Sequence, residues 1–171
     1  LCRADSSRIA LRTPDDPAVR FRHAVGTRYT GYLGTVIEPG KGLGGGVLVT
    51  GEPFRTDDYA ADSRFTRDYL HHARAEGNVT EMAVPIRSQD ALHGVLYVSN
   101  RSPRPFTDND EAVLRRLADY AGAAIANANL VTASLTAFGI SGSGVAGVVP
   151  GHVVQTARQL LAEDRGLFVY S

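Results

Sequence analysis

The chain has 171 residues, of which 43% are hydrophobic and 21% charged, and its 18 Lys and Arg residues equal its 18 Asp and Glu residues in number. This composition is typical of a globular domain, and without a basic excess we expect no direct nucleic-acid contact from this segment. The single cysteine, Cys2, excludes an internal disulfide and a multi-cysteine metal site, and no apolar run suits a membrane span.

Two segments of alternating hydrophobicity flank a turn near the start of the chain. Residues 6–12 (SSRIALR) and 18–26 (AVRFRHAVG) lie on either side of the turn-rich sequence TPDDP. Alternation with a period of two on both sides of a turn predicts a β-hairpin. Residues 27–41 have no clear period, so we expect them to be partly loop.

A glycine-rich stretch follows, and its GKGLGG sequence at 40–45 reads as G-x-G-x-x-G. In a dinucleotide-binding loop the first glycine directly follows a buried strand, whereas here Pro39 precedes Gly40. A P-loop would continue with Ser or Thr after its lysine, whereas Lys41 is followed by glycine. We therefore expect residues 42–51 to be weakly helical, with glycines that permit a tight turn and close packing on a sheet.

The second half of the chain contains the clearest elements. Residues 62–77 have helical spacing and end at a glycine, which predicts a helix. Residues 79–88 and 91–100 are strand candidates joined by a short connection, which predicts a second hairpin. Thr107 suits the N-cap of a long helix with an apolar stripe that runs to about Leu130. This order of elements indicates an α+β fold with a largely antiparallel sheet.

Three blocks of sequence, at residues 42–65, 81–100 and 105–130, resemble in this order the GAF domain. They read GLGGGVLVTGEPFRTDDYAADSRF, EMAVPIRSQDALHGVLYVSN and PFTDNDEAVLRRLADYAGAAIANANL. The resemblance implies an α/β sandwich, with helices on both faces of a sheet of about six mainly antiparallel strands and with a ligand cavity.

The same resemblance suggests a division of the chain into three parts. Residues 1–130 would form the GAF domain, without the N-terminal helix that usually precedes its first strand. Residues 131–151 are rich in Gly, Ser and Val and are predicted to be a linker. Residues 152–171 are predicted to form a helix with a strand-like tail, which would begin a further region of a longer protein.

GAF domains are mostly small-molecule sensors, so the resemblance implies a ligand-sensing domain of a bacterial transcription regulator or signalling protein. We expect it to lie in the cytoplasm, to have no membrane contact, and to relay ligand binding to an output domain through its terminal helix. One alternative is a dimerisation module with an empty pocket, and another is a haem or cyclic-nucleotide sensor. The sequence identifies neither the small-molecule ligand nor a cofactor.

The segment Asn100–Arg101, followed by Phe106 and Asp110–Glu111, is similar to a signature of cyclic-nucleotide-binding GAF domains, with arginine in place of lysine. The same residues also suit the start of a helix, and an Arg101–Asp110 ion pair would pin the hairpin to that helix. Both interpretations are open at this point.

We expect no enzymatic activity. GAF domains that reduce free methionine sulfoxide need an attacking thiolate and a resolving thiol, and Cys2 cannot supply both. Covalent bilin attachment at Cys2 is not expected either, because this residue is distant from the pocket elements. His71 and His72 suggest haem or metal binding, but adjacent helical residues point about 100° apart, so at most one would face a cavity. No metal site is predicted.

The candidate ligand-binding residues are aromatic, apolar or acidic side chains near the implied cavity. The aromatic residues suit either a pocket lining or the core. The two adjacent aspartates suit either a polar ligand or the cap of the turn that follows them. The predicted set is Phe21, Asp57, Asp58, Tyr59, Phe65, Tyr69, Met82 and Tyr97.

The long helix contains more alanine than one buried face requires. Small side chains allow a second helix to approach closely, so we expect a homodimer in which Ala118 and Ile125 face the partner. The alternative is that alanine, a strong helix former, occupies a solvated face. The alanines concerned are Ala118, Ala121, Ala123, Ala124, Ala126 and Ala128.

Overall fold

The structure is a computed structural model that describes residues 3–13, 15–89 and 91–137, with side chains as far as residue 130. Cys2 and the predicted linker and tail from residue 138 onward lie outside the described residues. The strands are β1 (Ser6–Arg12), β2 (Val19–Val25), β3 (Val36–Ile37), β4 (Phe54–Thr56), β5 (Thr80–Ser88) and β6 (Ala91–Asn100). The helices are α1 (Gly42–Thr50), α2 (Leu70–Glu76) and α3 (Asp108–Ala137), with one 3₁₀ turn at Thr30–Tyr32.

All six strands belong to one antiparallel sheet in the order β3-β2-β1-β6-β5-β4. Both predicted hairpins are confirmed, since β1 pairs with β2 and β5 pairs with β6 up to Ser88 and Ala91. The predicted α+β fold with a mainly antiparallel sheet is therefore confirmed. The pairing of β1 with β6 places the first strand of the chain at the centre of the sheet.

One face of the sheet carries the core that surrounds the candidate site. The register places Tyr97 of β6 between Arg8 of β1 and Ala83 of β5, so these three side chains share this face. Leu43 and Val47 of α1 belong to the same buried cluster. Helix α1 therefore packs on this face through its apolar residues.

The glycines of α1 allow this close packing, as the sequence predicts. A Cβ atom at Gly44 would lie 1.6 Å from the hydroxyl oxygen of Tyr97, and one at Gly45 would lie 2.4 Å from the carbonyl oxygen of Glu38. The N–H group of Gly42 donates to Thr66 Oγ1 at 2.8 Å, which satisfies a backbone donor in the first turn of the helix. Lys41 forms a surface ion pair with Glu38 at 2.5 Å.

The opposite face of the sheet is covered by the first part of α3. Arg55 of β4 pairs in register with Met82 and therefore shares its face, and Arg55 Nη2 lies 2.5 Å from Asp108 Oδ1. Leu114 and Ala118 of α3 are 2% and 0% exposed. The expectation that Ala118 faces a partner chain is therefore wrong, because its side chain is already covered within this chain.

Helix α3 begins as predicted and extends further than predicted. Thr107 and Asp110 form a reciprocal cap, in which Asp110 N–H donates to Thr107 Oγ1 at 3.2 Å and Thr107 N–H donates to Asp110 Oδ2 at 2.8 Å. The helix continues to Ala137, so the linker does not begin at residue 131. It crosses from one compact unit, which ends at Asp119, into a second unit, which begins at Tyr120.

The helix predicted over residues 62–77 is wrong in its first half, because α2 begins only at Leu70. Asp58 Oδ1 accepts the N–H group of Ala60 at 3.0 Å, and Asp62 Oδ1 accepts that of Arg64 at 3.0 Å. These carboxylates accept hydrogen bonds from backbone N–H groups in local turns, and such turns compete with helix formation.

Candidate functional site

A cavity of about 30 Å³ lies on the sheet face that α1 covers. Its volume corresponds to roughly two water molecules. Its lining combines a charged pair from the sheet with aromatic and apolar side chains from the surrounding elements. The lining residues are Arg8, Phe21, Tyr32, Ile37, Leu43, Gly44, Tyr59, Tyr69, His72, Ala73, Glu81 and Tyr97.

The floor of the cavity is a buried ion pair between Arg8 and Glu81. Arg8 Nη2 lies 3.2 Å from Glu81 Oε1, and it also donates to the hydroxyl of Ser99. The two side chains meet because Arg8 lies beside Tyr97 in register, and Glu81 lies beside Ser99. Burial acts to lower the pKa of Arg8, but the Glu81 carboxylate raises it, and the net shift is upward. Arg8 therefore stays cationic.

The guanidinium group of Arg8 is enclosed by aromatic rings. Its Cζ atom lies 4.4 Å from the ring centroid of Tyr32, 5.3 Å from that of Tyr97 and 5.7 Å from that of Phe21. These distances are within the range of cation–π attraction, which is strongest where water is excluded. The aromatic walls thus stabilise the charge of Arg8 together with the Glu81 carboxylate.

A chain of hydrogen bonds holds the carboxylate of Glu81 in place. Asn78 Nδ2 donates to Glu81 Oε1 at 2.5 Å and lies 3.2 Å from the hydroxyl oxygen of Tyr32. The hydroxyl of Tyr32 donates to the carbonyl oxygen of His72 at 3.2 Å. The Arg8–Glu81 ion pair is therefore linked to α2 through the buried side chains of Asn78 and Tyr32.

Three polar atoms of the lining residues are buried and have no hydrogen-bond partner among the described residues. They are Arg8 Nε, His72 Nδ1 and the hydroxyl oxygen of Tyr97. Burial raises the pKa of Tyr97, and burial, His71 and Arg8 lower the pKa of His72, so both side chains are uncharged at neutral pH. Buried polar groups without partners are uncommon in folded proteins, and each needs an explanation, such as a bound water, an ion or a ligand.

The structure brings Phe21, Tyr59, Tyr69 and Tyr97 of the predicted set together in the lining of the cavity. Ligand contact by these residues stays a prediction. The signal that finds them in the sequence is the placement of aromatic residues on strands and turns that surround one sheet face.

The other members of the predicted set do not line the cavity. Phe65 belongs to the same buried cluster but packs behind the lining, against Phe54 at a centroid distance of 5.7 Å and Tyr59 at 6.2 Å. Met82 alternates with cavity-side residues of β5 and therefore lies on the opposite face of the sheet. Asp57 is exposed, and Asp58 accepts backbone hydrogen bonds in its own turn.

Sequence analysis does not identify the Arg8–Glu81 pair. The two residues are 73 positions apart, and each is a charged residue at an inward-facing strand position. Only the register between β1, β6 and β5 brings them together. Of the two adjacent histidines, His72 lines the cavity and His71 does not, in agreement with the expectation for neighbouring helical residues.

The residues similar to a cyclic-nucleotide signature have structural partners. Arg101 Nε donates to Glu76 Oε1 at 2.9 Å, so the expected Arg101–Asp110 ion pair is replaced by a pair with α2. Asn100 Nδ2 donates to Thr80 Oγ1 at 3.1 Å and to the carbonyl oxygen of Arg104 at 2.9 Å. These contacts favour the structural interpretation of the segment.

Among the described residues, no helix has the length and apolarity that a membrane span requires. Within the same part of the chain, no group of three or more His, Cys, Asp or Glu residues is arranged to hold a metal ion.

Comparison with protein families matches residues 2–125 to the family described as GAF domain. The chain is also 32% identical over 87 residues to the HTH-type transcriptional activator RamA of Corynebacterium glutamicum. That alignment covers 51% of this chain and 31% of the activator, so the chain matches less than a third of its relative.

Solved structures share the fold at low sequence identity. The GAF domain of a phosphoenolpyruvate-protein phosphotransferase from Coxiella burnetii aligns with a TM-score of 0.65 at 22% identity, covering 76% of each chain. The type II free methionine-R-sulfoxide reductase from Thermoplasma acidophilum aligns with a TM-score of 0.55 at 18% identity, covering 68% of this chain and 75% of the reductase. Likenesses at this level of identity show the fold and do not assign an activity.

Proposed function

Because the chain belongs to the GAF domain family, we propose that it is a non-catalytic sensor domain whose small-molecule ligand binds in the cavity over Arg8. One observation carries the proposal, namely the three buried polar atoms without partners around a cavity with a fixed ion pair at its floor. Unsatisfied buried polar groups destabilise a folded protein, and a ligand that pairs with them removes this penalty.

The proposal that the domain does not share the thiol chemistry of a sulfoxide reductase rests on its cysteine content. Reduction of a sulfoxide by thiol chemistry needs a nucleophilic thiolate and a second thiol that resolves the intermediate. The chain has a single cysteine, Cys2. The fold shared with a methionine sulfoxide reductase therefore comes without the thiols on which that chemistry depends.

We further propose that the domain belongs to a bacterial transcription regulator or signalling protein of the cytoplasm, and that α3 relays the ligand state to an output domain. The similarity to a transcriptional activator supports the first part. The continuity of α3 from Asp108 to Ala137 supports the second, because a long helix that starts at the sheet can transmit a displacement along its axis.

The small volume of the cavity favours a second candidate, a dimerisation module whose cavity stays unoccupied. It also disfavours haem and cyclic nucleotides, because sites for ligands of that size have volumes of about 300–1,000 Å³. The two remaining candidates differ in whether any small molecule stabilises the domain.

Native mass spectrometry and a thermal-shift screen of small polar metabolites test the proposal. For a sensor, we expect a retained mass, or compounds that raise the melting temperature of the wild type and of the control Tyr120→Phe, in which an exposed hydroxyl is removed. The same compounds should raise the melting temperature of Tyr97→Phe less. A chain that retains no mass and responds to no compound would instead support the dimerisation module.

A further inference from the structure

The net charge of the cavity restricts what it can bind. The positive charge of Arg8 is compensated at 3.2 Å by the carboxylate of Glu81. The Glu81 carboxylate is held in this position, because its Oε1 atom also accepts a hydrogen bond from the Asn78 amide at 2.5 Å. A charged ligand would bring an uncompensated charge into a buried site, which is strongly unfavourable.

The polar atoms without partners supply mainly hydrogen-bond donors. Arg8 Nε is a donor only, the hydroxyl of Tyr97 can donate, and the neutral ring of His72 can donate from Nδ1 in one tautomer. A ligand that satisfies them must present a hydrogen-bond acceptor, and a carbonyl oxygen can accept from more than one donor. The surrounding rings of Phe21, Tyr32 and Tyr97 and the small volume favour a flat molecule of a few heavy atoms.

We propose that the ligand of this cavity is a small, planar, uncharged molecule with a carbonyl oxygen, such as a primary amide, held by Arg8, Tyr97 and His72. This inference rests on the proposed sensor function and specifies the chemical class of its ligand. The carbonyl oxygen accepts from the free donors, and the amide N–H groups face the Glu81 side of the cavity.

Three probes of nearly the same shape test the charge preference directly. Acetamide, acetate and acetamidinium are planar molecules of equal heavy-atom number with charges of about 0, −1 and +1 at neutral pH. Each is titrated into the 171-residue chain and followed by ¹H–¹⁵N correlation spectra. We expect saturable shifts at cavity amides such as Gly44 and Ala73, with a dissociation constant at least about tenfold lower for acetamide than for either ion.

Variants separate binding in the cavity from general effects. Tyr97→Phe removes one unpartnered donor and should weaken acetamide binding by a factor of about 2 to 10. Tyr120→Phe removes a hydroxyl from a residue that is 68% exposed and should leave the dissociation constant unchanged. Equal weakening by both variants would show that acetamide does not bind at Tyr97 and would overturn the inference.

The outcomes distinguish this inference from the sensor function. Tighter binding of acetate or acetamidinium than of acetamide would overturn the uncharged ligand and leave the sensor function standing. If none of the three probes binds but native mass spectrometry detects a retained metabolite, the proposed ligand class is overturned and the sensor function still stands. If no probe binds and no metabolite is retained, the inference and the proposed sensor function are both overturned.

Discussion

Tyr97 unites a structural and a candidate functional role in one side chain. Its ring is 4% exposed and packs against Phe21 at a centroid distance of 5.1 Å, whereas its hydroxyl has no hydrogen-bond partner among the described residues. A buried hydroxyl without a partner opposes folding by about 1–3 kcal/mol. The hydroxyl therefore has a cost in stability that a structural role alone does not explain.

Replacement of this hydroxyl should stabilise the unliganded domain. We expect Tyr97→Phe to raise the free energy of unfolding by about 1 kcal/mol, because the ring stays packed and the unsatisfied group is removed. Urea denaturation followed by circular dichroism measures the change, with Tyr120→Phe as the exposed control. A loss of stability in Tyr97→Phe would mean that the hydroxyl has a partner in solution.

Glu76 is the other residue whose chemistry determines local structure. Its carboxylate accepts the N–H groups of Arg28 at 2.8 Å and Tyr29 at 2.6 Å, and it pairs with Arg101. Burial acts to raise the pKa of Glu76, but these hydrogen bonds and the Arg101 charge lower it below its usual value of 4.5. The carboxylate thus joins α2 to two separate loops.

The stability contributed by Glu76 should depend on pH. Because its pKa is lower in the folded state, the contribution is complete above pH 4.5 and is lost as the pH falls through the folded-state pKa. Glu76→Gln should therefore reduce the free energy of unfolding by about 3 kcal/mol at pH 7, and the difference from wild type should narrow below about pH 4.5.

Urea denaturation between pH 7 and the lowest pH at which the wild type remains folded measures this difference. Glu38→Gln is the matched control, because Glu38 pairs with Lys41 at the surface and is 54% exposed. We expect the control to change stability by less than about 1 kcal/mol. A destabilisation by Glu76→Gln that does not vary with pH would contradict the assignment.

At the scale of elements, α1 shows why a helix with weak intrinsic propensity forms here. Glycine in a helix interior is unfavourable by about 1 kcal/mol relative to alanine. Gly44 and Gly45 are nevertheless required, because the helix backbone approaches Tyr97 and Glu38 too closely for a side chain. Tertiary packing therefore stabilises α1 despite its low helix propensity. Gly44 and Gly45 are required for this packing, whereas Gly46 has more space around it.

A pair of glycine-to-alanine variants tests this explanation. Gly44→Ala should destabilise the domain by about 1–3 kcal/mol, since its Cβ would overlap Tyr97 at 1.6 Å. Gly46→Ala should have no effect or stabilise by up to about 1 kcal/mol, because its nearest neighbour is the Phe54 ring at 3.3 Å, the movable end of a side chain. Thermal denaturation of both variants measures the contrast, and equal effects would contradict it.

The sequence predicts elements well where the pattern is local. Both hairpins and the Thr107 cap follow from alternation and capping chemistry within a few residues. The start of α2 is missed because Asp58 and Asp62 divert the backbone into turns, and helical spacing alone does not register this competition.

The candidate site is predicted only in part, for a related reason. Aromatic residues such as Phe21 and Tyr97 stand out by type, and they do line the cavity. The Arg8–Glu81 pair depends on the order of strands that are distant in the sequence, which no short pattern records. Met82 is adjacent to Glu81 on β5, and neighbouring residues of a strand point to opposite faces of the sheet. A prediction that is displaced by one residue therefore selects a side chain on the wrong face.

At the scale of the whole molecule, α3 is the element that belongs to both compact units. Its first turns are covered by the sheet through Leu114 and Ala118, which leaves the later turns as the proposed dimer contact. Small residues in this part of the helix would let a second copy approach closely. The homodimer is therefore proposed without Ala118.

Sedimentation equilibrium tests the proposed homodimer. We expect a dimer at micromolar concentrations whose dissociation constant rises at least about tenfold in Ile125→Asp, because a carboxylate is unfavourable in an apolar contact. Val49→Asp is the control, since it introduces the same charge at a position of α1 that is 66% exposed. A monomeric wild type, or equal effects of both variants, would contradict a contact at Ile125.

The central position of β1 has a consequence during synthesis, because β1 is made long before its partner strand β6. β2 follows β1 directly, but Ser99 of β6, a partner of Arg8, is 91 positions further along. At about 5–20 residues per second, ribosomal synthesis of that interval takes roughly 5–18 s. During this time β1 is an edge strand of the nascent hairpin, and an inward-facing charge on an edge discourages pairing with other chains. We therefore expect Arg8 to reduce association of the unfinished chain before β6 pairs with β1.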